Sequence, residues 1–156
     1  MTADLARALA DYRTGMDAEL QVLAQLESIA TRQHTLPYPP PADALTSLGL
    51  EREQQLSTLS GLEQGLQPLR ALLSAHLDRA RTLPGFAGAT ERDRRAAEYV
   101  ATIMRLDAES LQVLHRANQE RRAATQNLET GEVTLAAYRR VLQQPQPSAG
   151  LFNERG

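Results

Sequence analysis

The last third of the chain is the feature that most restricts its fold. From Thr90 to Gln143 the sequence runs for about 54 residues without a proline. A helix of that length measures about 80 Å at a rise of 1.5 Å per residue. Its apolar residues first recur at helical spacing: Ala97, Val100, Ile103 or Met104, Leu106, Leu111 and Leu114. Beyond them, polar residues take over the seam positions, which predicts a long helix whose C-terminal half is incompletely packed.

The first segment has an apolar seam of its own. Its members recur at a mean step of about 3.4 residues, close to the coiled-coil repeat and incompatible with strand alternation; they are Leu5, Leu9, Tyr12, Met16, Leu20, Leu23, Leu26 and Ile29. The helix must stop at the proline cluster 37–41, because proline breaks the hydrogen-bond ladder. Such a cluster is typical of a rigid turn between two helices. The alternative is a polyproline II segment that an SH3-like domain would bind.

The second segment, from Asp43 to Thr82, carries a leucine ladder that again predicts a helix. Pro68 lies inside this ladder and predicts that the helix kinks or splits near Leu66, since proline removes a backbone donor from the helix. A short loop over 83–89 then leads to Thr90, which is placed to act as the N-cap of the last helix.

Together these patterns predict an all-α fold of three long antiparallel helices near 3–35, 43–82 and 90–143, forming a coiled-coil-like bundle. Residues 1–143 form a single helical bundle domain in this prediction, and 144–156 a short flexible tail. The long C-terminal helix overhangs its shorter neighbours. The expected core comprises Leu5, Leu9, Met16, Leu23, Leu26, Leu56, Leu59, Leu66, Leu73, Val100, Met104 and Leu111.

Composition narrows the functional class. The formal net charge is −2, so a basic surface that holds nucleic acid through its phosphates is not expected. Cysteine is absent, which removes disulfides and thiolate metal sites. No secretory signal or membrane span is recognisable, so we expect a cytoplasmic protein without membrane insertion.

No arrangement of side chains indicates catalysis. The three histidines, His34, His76 and His115, fall on different predicted helices and lack the spacing of metal ligands. The serines have no nucleophile motif, and there is no phosphate-binding glycine loop. Asp107, placed at a seam position, is more typical of a residue that fixes helix register than of a catalytic acid. We therefore expect no enzyme activity, no cofactor and no metal.

Parts of the sequence resemble a family of helical export proteins. The resemblance rests on the stretch Leu106–Leu114, on Gly131 followed by Tyr138-Arg139, and on the terminal string Phe152-Asn-Glu-Arg-Gly156. The charged run and leucines between Glu51 and Glu63 are similar as well. These features resemble flagellar export chaperones of the FlgN type. The resemblance implies a cytoplasmic type III export chaperone that holds C-terminal helices of hook-filament junction proteins and delivers them to the export gate.

The incomplete seam of the last helix is the candidate client-binding surface. A helix with such a seam can complete it with the amphipathic helix of a partner. Its candidate residues are Leu114, Asn118, Arg121, Arg122, Thr125, Leu128, Leu135 and Tyr138. The expected partners are flagellar hook-associated proteins and components of the export apparatus. The alternative is a coiled-coil scaffold or adaptor that self-associates through the same helix, as a homodimer for example.

Overall fold

The computed structural model describes residues 2–139, with side chains described as far as Gly131. The described residues form four α-helices and contain no strand: α1 (Thr2–His34), α2 (Ala42–Ala75), α3 (Leu77–Ala80) and α4 (Phe86–Arg139). The all-α prediction is confirmed for this part of the chain. The predicted end of the last helix at 143 and the predicted tail, 144–156, lie outside the described residues.

The second predicted helix is two helices. α2 continues through Pro68 and ends at Ala75, where the backbone of His76 leaves helical geometry (φ −124°, ψ 41°). The single turn α3 follows immediately. The predicted end at Thr82 was therefore nearly right, and the interruption between the two helices lies at His76. The chain deviates from the helix at His76, eight residues after the proline.

α4 begins earlier than its sequence predicts. Thr90 is not an N-cap, because its hydroxyl donates to the carbonyl of Ala87 inside the helix. The start is set instead by Gly85, which has a φ of 93° and whose carbonyl accepts the N–H of Ala89. Glycine adopts this left-handed conformation without a Cβ clash. The guanidinium of Arg13 lies 2.6 Å from where a Cβ of Gly85 would stand.

The contacts divide the chain into two compact units, one ending at Ser110 and the other beginning at Leu111. We call them the N-terminal unit and the C-terminal unit. In the N-terminal unit, Arg32 of α1 donates to Glu51 of α2, whereas Tyr12 lies beneath Arg70. Residue numbers thus rise along α1 where they fall along α2.

The core of the N-terminal unit is a row of leucine, alanine and methionine side chains with Tyr12 among them. One cluster joins the start of α1 to the end of α2 and consists of Leu5, Leu9, Tyr12, Met16, Leu66, Leu73, Ala80 and Ala89. A second cluster comprises Val22, Leu23 and Leu26, packed against Leu59, Leu62, Ala96, Tyr99 and Ile103. At Gly15 the helices approach so closely that a Cβ would lie 2.6 Å from Leu66.

Four residues of the predicted core are exposed: Leu56 (47%), Val100 (43%), Met104 (65%) and Leu111 (54%). On α4 the structure buries Leu106 instead, in the register that also includes Tyr99 and Ile103. The predicted row (Val100, Met104 and Leu111) and the observed row (Tyr99, Ile103 and Leu106) both have helical spacing. Spacing alone therefore could not show which row faces the core. Asp107 helps fix the rotation of the helix, because its carboxylate is held by Arg52 of α2 with two hydrogen bonds of 2.9 Å.

Candidate protein-binding surface

The predicted client-binding residues lie on the C-terminal unit. Leu114, Asn118 and Thr125 are partly buried, and Arg121, Arg122 and Leu128 are exposed. At 3.6 residues per turn, the five positions 114, 118, 121, 125 and 128 fall within about 80° of the helix circumference, with 122 at their edge. Leu135 and Tyr138 belong to α4, but their side chains lie outside the described residues. α4 therefore brings five of the eight predicted positions onto one face.

Polar side chains on this face form hydrogen bonds with neighbouring residues of α4 itself. Arg121 donates to Oδ1 of Asn118 over 3.1 Å. The hydroxyl of Thr125 donates to the carbonyl of Arg121 over 3.0 Å. Hydroxyls that bond to the preceding turn satisfy themselves locally. These interactions hold the polar groups close to the helix surface and leave the leucines as its apolar projections.

The described apolar side chains of the C-terminal unit are exposed or only partly buried. Within the described side chains from Leu111 to Gly131 no residue is buried, and Leu128 is 70% exposed. A single exposed leucine is ordinary on a protein surface. Leu128, however, continues the face that carries Leu114, at a spacing of two heptads. Within the described residues, this face therefore carries a partly covered leucine, Leu114, and a mostly exposed one, Leu128.

The N-terminal unit contains a polar network that no sequence motif identifies. The hydroxyl of Tyr12 donates to Oδ1 of Asp93 over 2.6 Å, which joins α1 to α4. The Arg70 guanidinium lies 5.6 Å from the Tyr12 ring centroid and donates to Glu63 over 3.2 Å. Glu63 in turn hydrogen-bonds to Glu19 of α1, a carboxyl that is only 5% exposed. We call these five residues the polar network.

Burial and neighbouring charges set the ionisation of the polar network. Burial, and then the contact with Glu63, raises the pKa of Glu19 to about 8. The hydrogen bond from Glu19, followed by the one from Arg70, lowers the pKa of Glu63. Burial and the bond to Asp93 raise the pKa of Tyr12 to about 12. At neutral pH, Glu19 is therefore the proton donor of the carboxyl pair and Glu63 the acceptor.

His34 and Asp17 of α1 each pair with one side chain of α4. His34 of α1 lies 2.8 Å from Glu109 of α4, measured from Nε2 to Oε1. Arg92 of α4 donates to Asp17 of α1 over 2.7 Å, and this bond lowers the pKa of Asp17. Among the described residues, no three histidines or carboxylates gather in a way that could hold a metal ion. The same part of the chain has no helix with the length and hydrophobicity that crossing a bilayer requires.

No protein family, no curated protein and no solved structure matches this chain. A functional proposal therefore depends on the geometry of the described residues and on the motif resemblance.

Proposed function

We propose that this protein is a cytoplasmic chaperone of flagellar type III export. In this proposal it binds the C-terminal helical segments of hook-associated proteins, prevents their premature assembly and delivers them to the export gate. Its architecture is then three long antiparallel helices in a coiled-coil-like bundle, with α2 kinked near Pro68 and the C-terminal half of α4 overhanging. The client lies along the C-terminal half of α4, in contact with Leu114, Asn118, Arg121, Arg122, Thr125, Leu128, Leu135 and Tyr138.

The exposure of Leu128 is the observation that carries this proposal. A leucine that is 70% exposed, on a face shared with Leu114, offers an apolar row at helical spacing. An amphipathic helix recognises such a row by laying its own apolar stripe along it. Arg121, held on the same face by Asn118, adds a positive charge that can pair with a carboxylate on the client. The motif resemblance in the same helix supports a client from the flagellar hook.

Titration calorimetry with C-terminal peptides of hook-filament junction proteins tests the proposal. The double change Leu128→Ala/Tyr138→Ala should weaken binding at least tenfold, which is about 1.4 kcal/mol. The melting temperature should change little, because Leu128 is exposed. Leu56→Ala provides the matched control, since Leu56 is an exposed leucine (47%) of the N-terminal unit. Binding that survives the double change would place the client site elsewhere.

A self-associating scaffold or adaptor is the competing function. The same apolar row can pair with its copy on a second chain, as in an isologous dimer. Sedimentation equilibrium separates the two functions. A chaperone should be monomeric without its client, whereas a scaffold should form dimers that Leu128→Ala dissociates. A stable dimer that binds no hook-junction peptide would contradict the chaperone proposal and support the scaffold.

A further inference from the structure

A small pocket opens at one end of the N-terminal unit, where residues of all four helices meet. Its volume is about 130 Å³. The inner surface is apolar and comes from three buried side chains, Leu9, Leu73 and Ala89. Phe86 and Leu77 form its sides, and Leu77 is 38% exposed. The pocket thus combines buried apolar lining residues with partly exposed ones at its entrance.

The volume limits what the pocket can hold. An engineered protein cavity of about 150 Å³ lined by apolar side chains binds benzene. A pocket of 130 Å³ therefore accommodates one aromatic ring or one branched aliphatic group. Anything larger must extend through the entrance, past the polar residues of the wall.

Among the residues that the structure describes, one negative charge of the polar wall, Asp93, has no ionic partner. Tyr12 donates to Oδ1 of Asp93, and within the described residues Oδ2 of Asp93 accepts no hydrogen bond. The other charged residue of the wall, Arg70, is already paired with Glu63. Tyr12 stays neutral at physiological pH, because its pKa is raised to about 12. The negative charge that the wall presents to a ligand is therefore that of the Asp93 carboxylate, beside an Arg70 guanidinium that already has Glu63 as its partner.

We propose that this pocket binds a compact apolar group that carries a cationic group beside it. The apolar group fills the space between Leu9, Leu73 and Ala89, and the cation pairs with Oδ2 of Asp93. The ligand is a small organic amine or an aromatic side chain adjacent to a lysine or arginine of a polypeptide. The site is separate from the face of α4 that the proposed chaperone function uses.

NMR titration of the full chain with benzylamine tests the site, and benzyl alcohol is the neutral control of equal size. Saturable shifts should appear at the backbone amides of Leu73, Ala89 and Asp93, with a dissociation constant on the order of millimolar. Benzylamine should bind about three- to fivefold more tightly than benzyl alcohol, because its ammonium group can form a partly exposed ion pair with Asp93. A Phe-Lys dipeptide amide that binds more tightly than benzylamine would identify the ligand as a polypeptide, and the reverse as a free amine.

Two variants test separately the contribution of the Asp93 charge and that of the pocket volume. Asp93→Asn keeps an acceptor for Tyr12 and should reduce benzylamine binding to the level of benzyl alcohol. Ser74→Leu places a larger side chain at the wall from an exposed position on α2 and should weaken both ligands; Ser57→Leu, on the same helix but away from the pocket, is its control. The proposal is overturned if the pocket amides show no saturable shift, or if the wild-type chain binds the two ligands equally.

Discussion

The carboxyl groups of Glu19 and Glu63 hydrogen-bond to each other between α1 and α2 and share one proton. Two carboxylates in contact cannot both ionise at low cost, and burial of Glu19 adds to that cost. The charged groups around Glu19 are Glu63 and Arg70 on α2 and Asp93 on α4. Arg70 attenuates the repulsion through its bond to Glu63, and Asp93 increases it.

This shared proton makes the free energy of unfolding depend on pH. The folded chain keeps the Glu19 proton up to about pH 8, whereas an unfolded glutamate loses it near its usual pKa of 4.5. Between these values the folded state binds more protons, so stability falls as pH rises. The lowered pKa of Glu63 acts in the opposite direction, because its stabilising contribution is lost as pH falls below 4.5.

Urea unfolding at a series of pH values from about 5 to 9 measures this effect. We expect a progressive loss of stability up to pH 8, and Glu19→Gln should flatten the profile, since glutamine donates to Glu63 without titrating. Glu53→Gln, at an exposed position of α2, should leave the slope unchanged. A flat wild-type profile would mean that the two carboxyls ionise independently.

The approach of α1 and α2 at Gly15 should reverse the usual effect of replacing a helical glycine. Alanine in a helix interior is normally favoured by about 1 kcal/mol. At Gly15 the new methyl would lie 2.6 Å from Leu66, a side chain that is 2% exposed and has little room to move. Gly15→Ala should therefore destabilise the protein by about 1–3 kcal/mol.

Gly61→Ala is the matched test, because a Cβ at Gly61 meets nothing within 4 Å. This change should raise stability by about 0.5–1 kcal/mol. Chemical denaturation of both variants decides the matter. If Gly15→Ala were as stabilising as Gly61→Ala, the two helices would have to be farther apart than the structure places them.

The rotation of α4 can be tested at two neighbouring residues. Leu106 is 8% exposed and Met104 is 65% exposed. Leu106→Ala should cost about 2–4 kcal/mol through lost burial and a cavity, whereas Met104→Ala should cost less than about 0.5 kcal/mol. Thermal unfolding followed by circular dichroism ranks the two. The opposite ranking would restore the register in which Met104 belongs to the core.

The Arg52–Asp107 pair should contribute a modest coupling energy. Its geometry is bidentate, but the side chains are 22% and 41% exposed, so solvent screens the interaction. A double-mutant cycle with Arg52→Met and Asp107→Ala should give a coupling of about 0.5–1 kcal/mol. A coupling near zero would show that apolar packing alone sets the rotation of α4.

The sequence predicts the helices well because their signals are local. Prolines 37–41 end the first helix regardless of tertiary contacts, and α1 accordingly ends at His34. The core of α1 was also predictable, since Leu5, Leu9, Met16 and Leu23 recur in one register. The register of α4 was not, because two rows of apolar residues have the same spacing. Contacts with the other helices distinguish them: Asp107 pairs with Arg52, and Tyr99 and Ile103 pack against the second cluster.

The sequence contains a weak indication of the polar network, namely charged residues at heptad positions within the apolar seams. Glu19 occupies a heptad position of the α1 seam between Met16 and Leu23, and a charged residue there is unusual. Glu63 and Arg70 similarly interrupt the leucine ladder of α2 at heptad spacing. Sequence spacing identifies such residues as candidates for burial. It cannot say which of them meet, because pairing depends on how the helices are aligned.

Two separate requirements coincide at Gly85. Its backbone has a φ of 93°, and the guanidinium of Arg13 fills the space of an L side chain. A D-alanine introduced by chemical synthesis would adopt that φ readily and would direct its methyl group away from the position that Arg13 occupies. Every other genetically encoded residue would place a Cβ against the end of the Arg13 side chain and would adopt this φ less readily than glycine. Saturation mutagenesis at this turn should therefore return glycine as the best-tolerated genetically encoded residue.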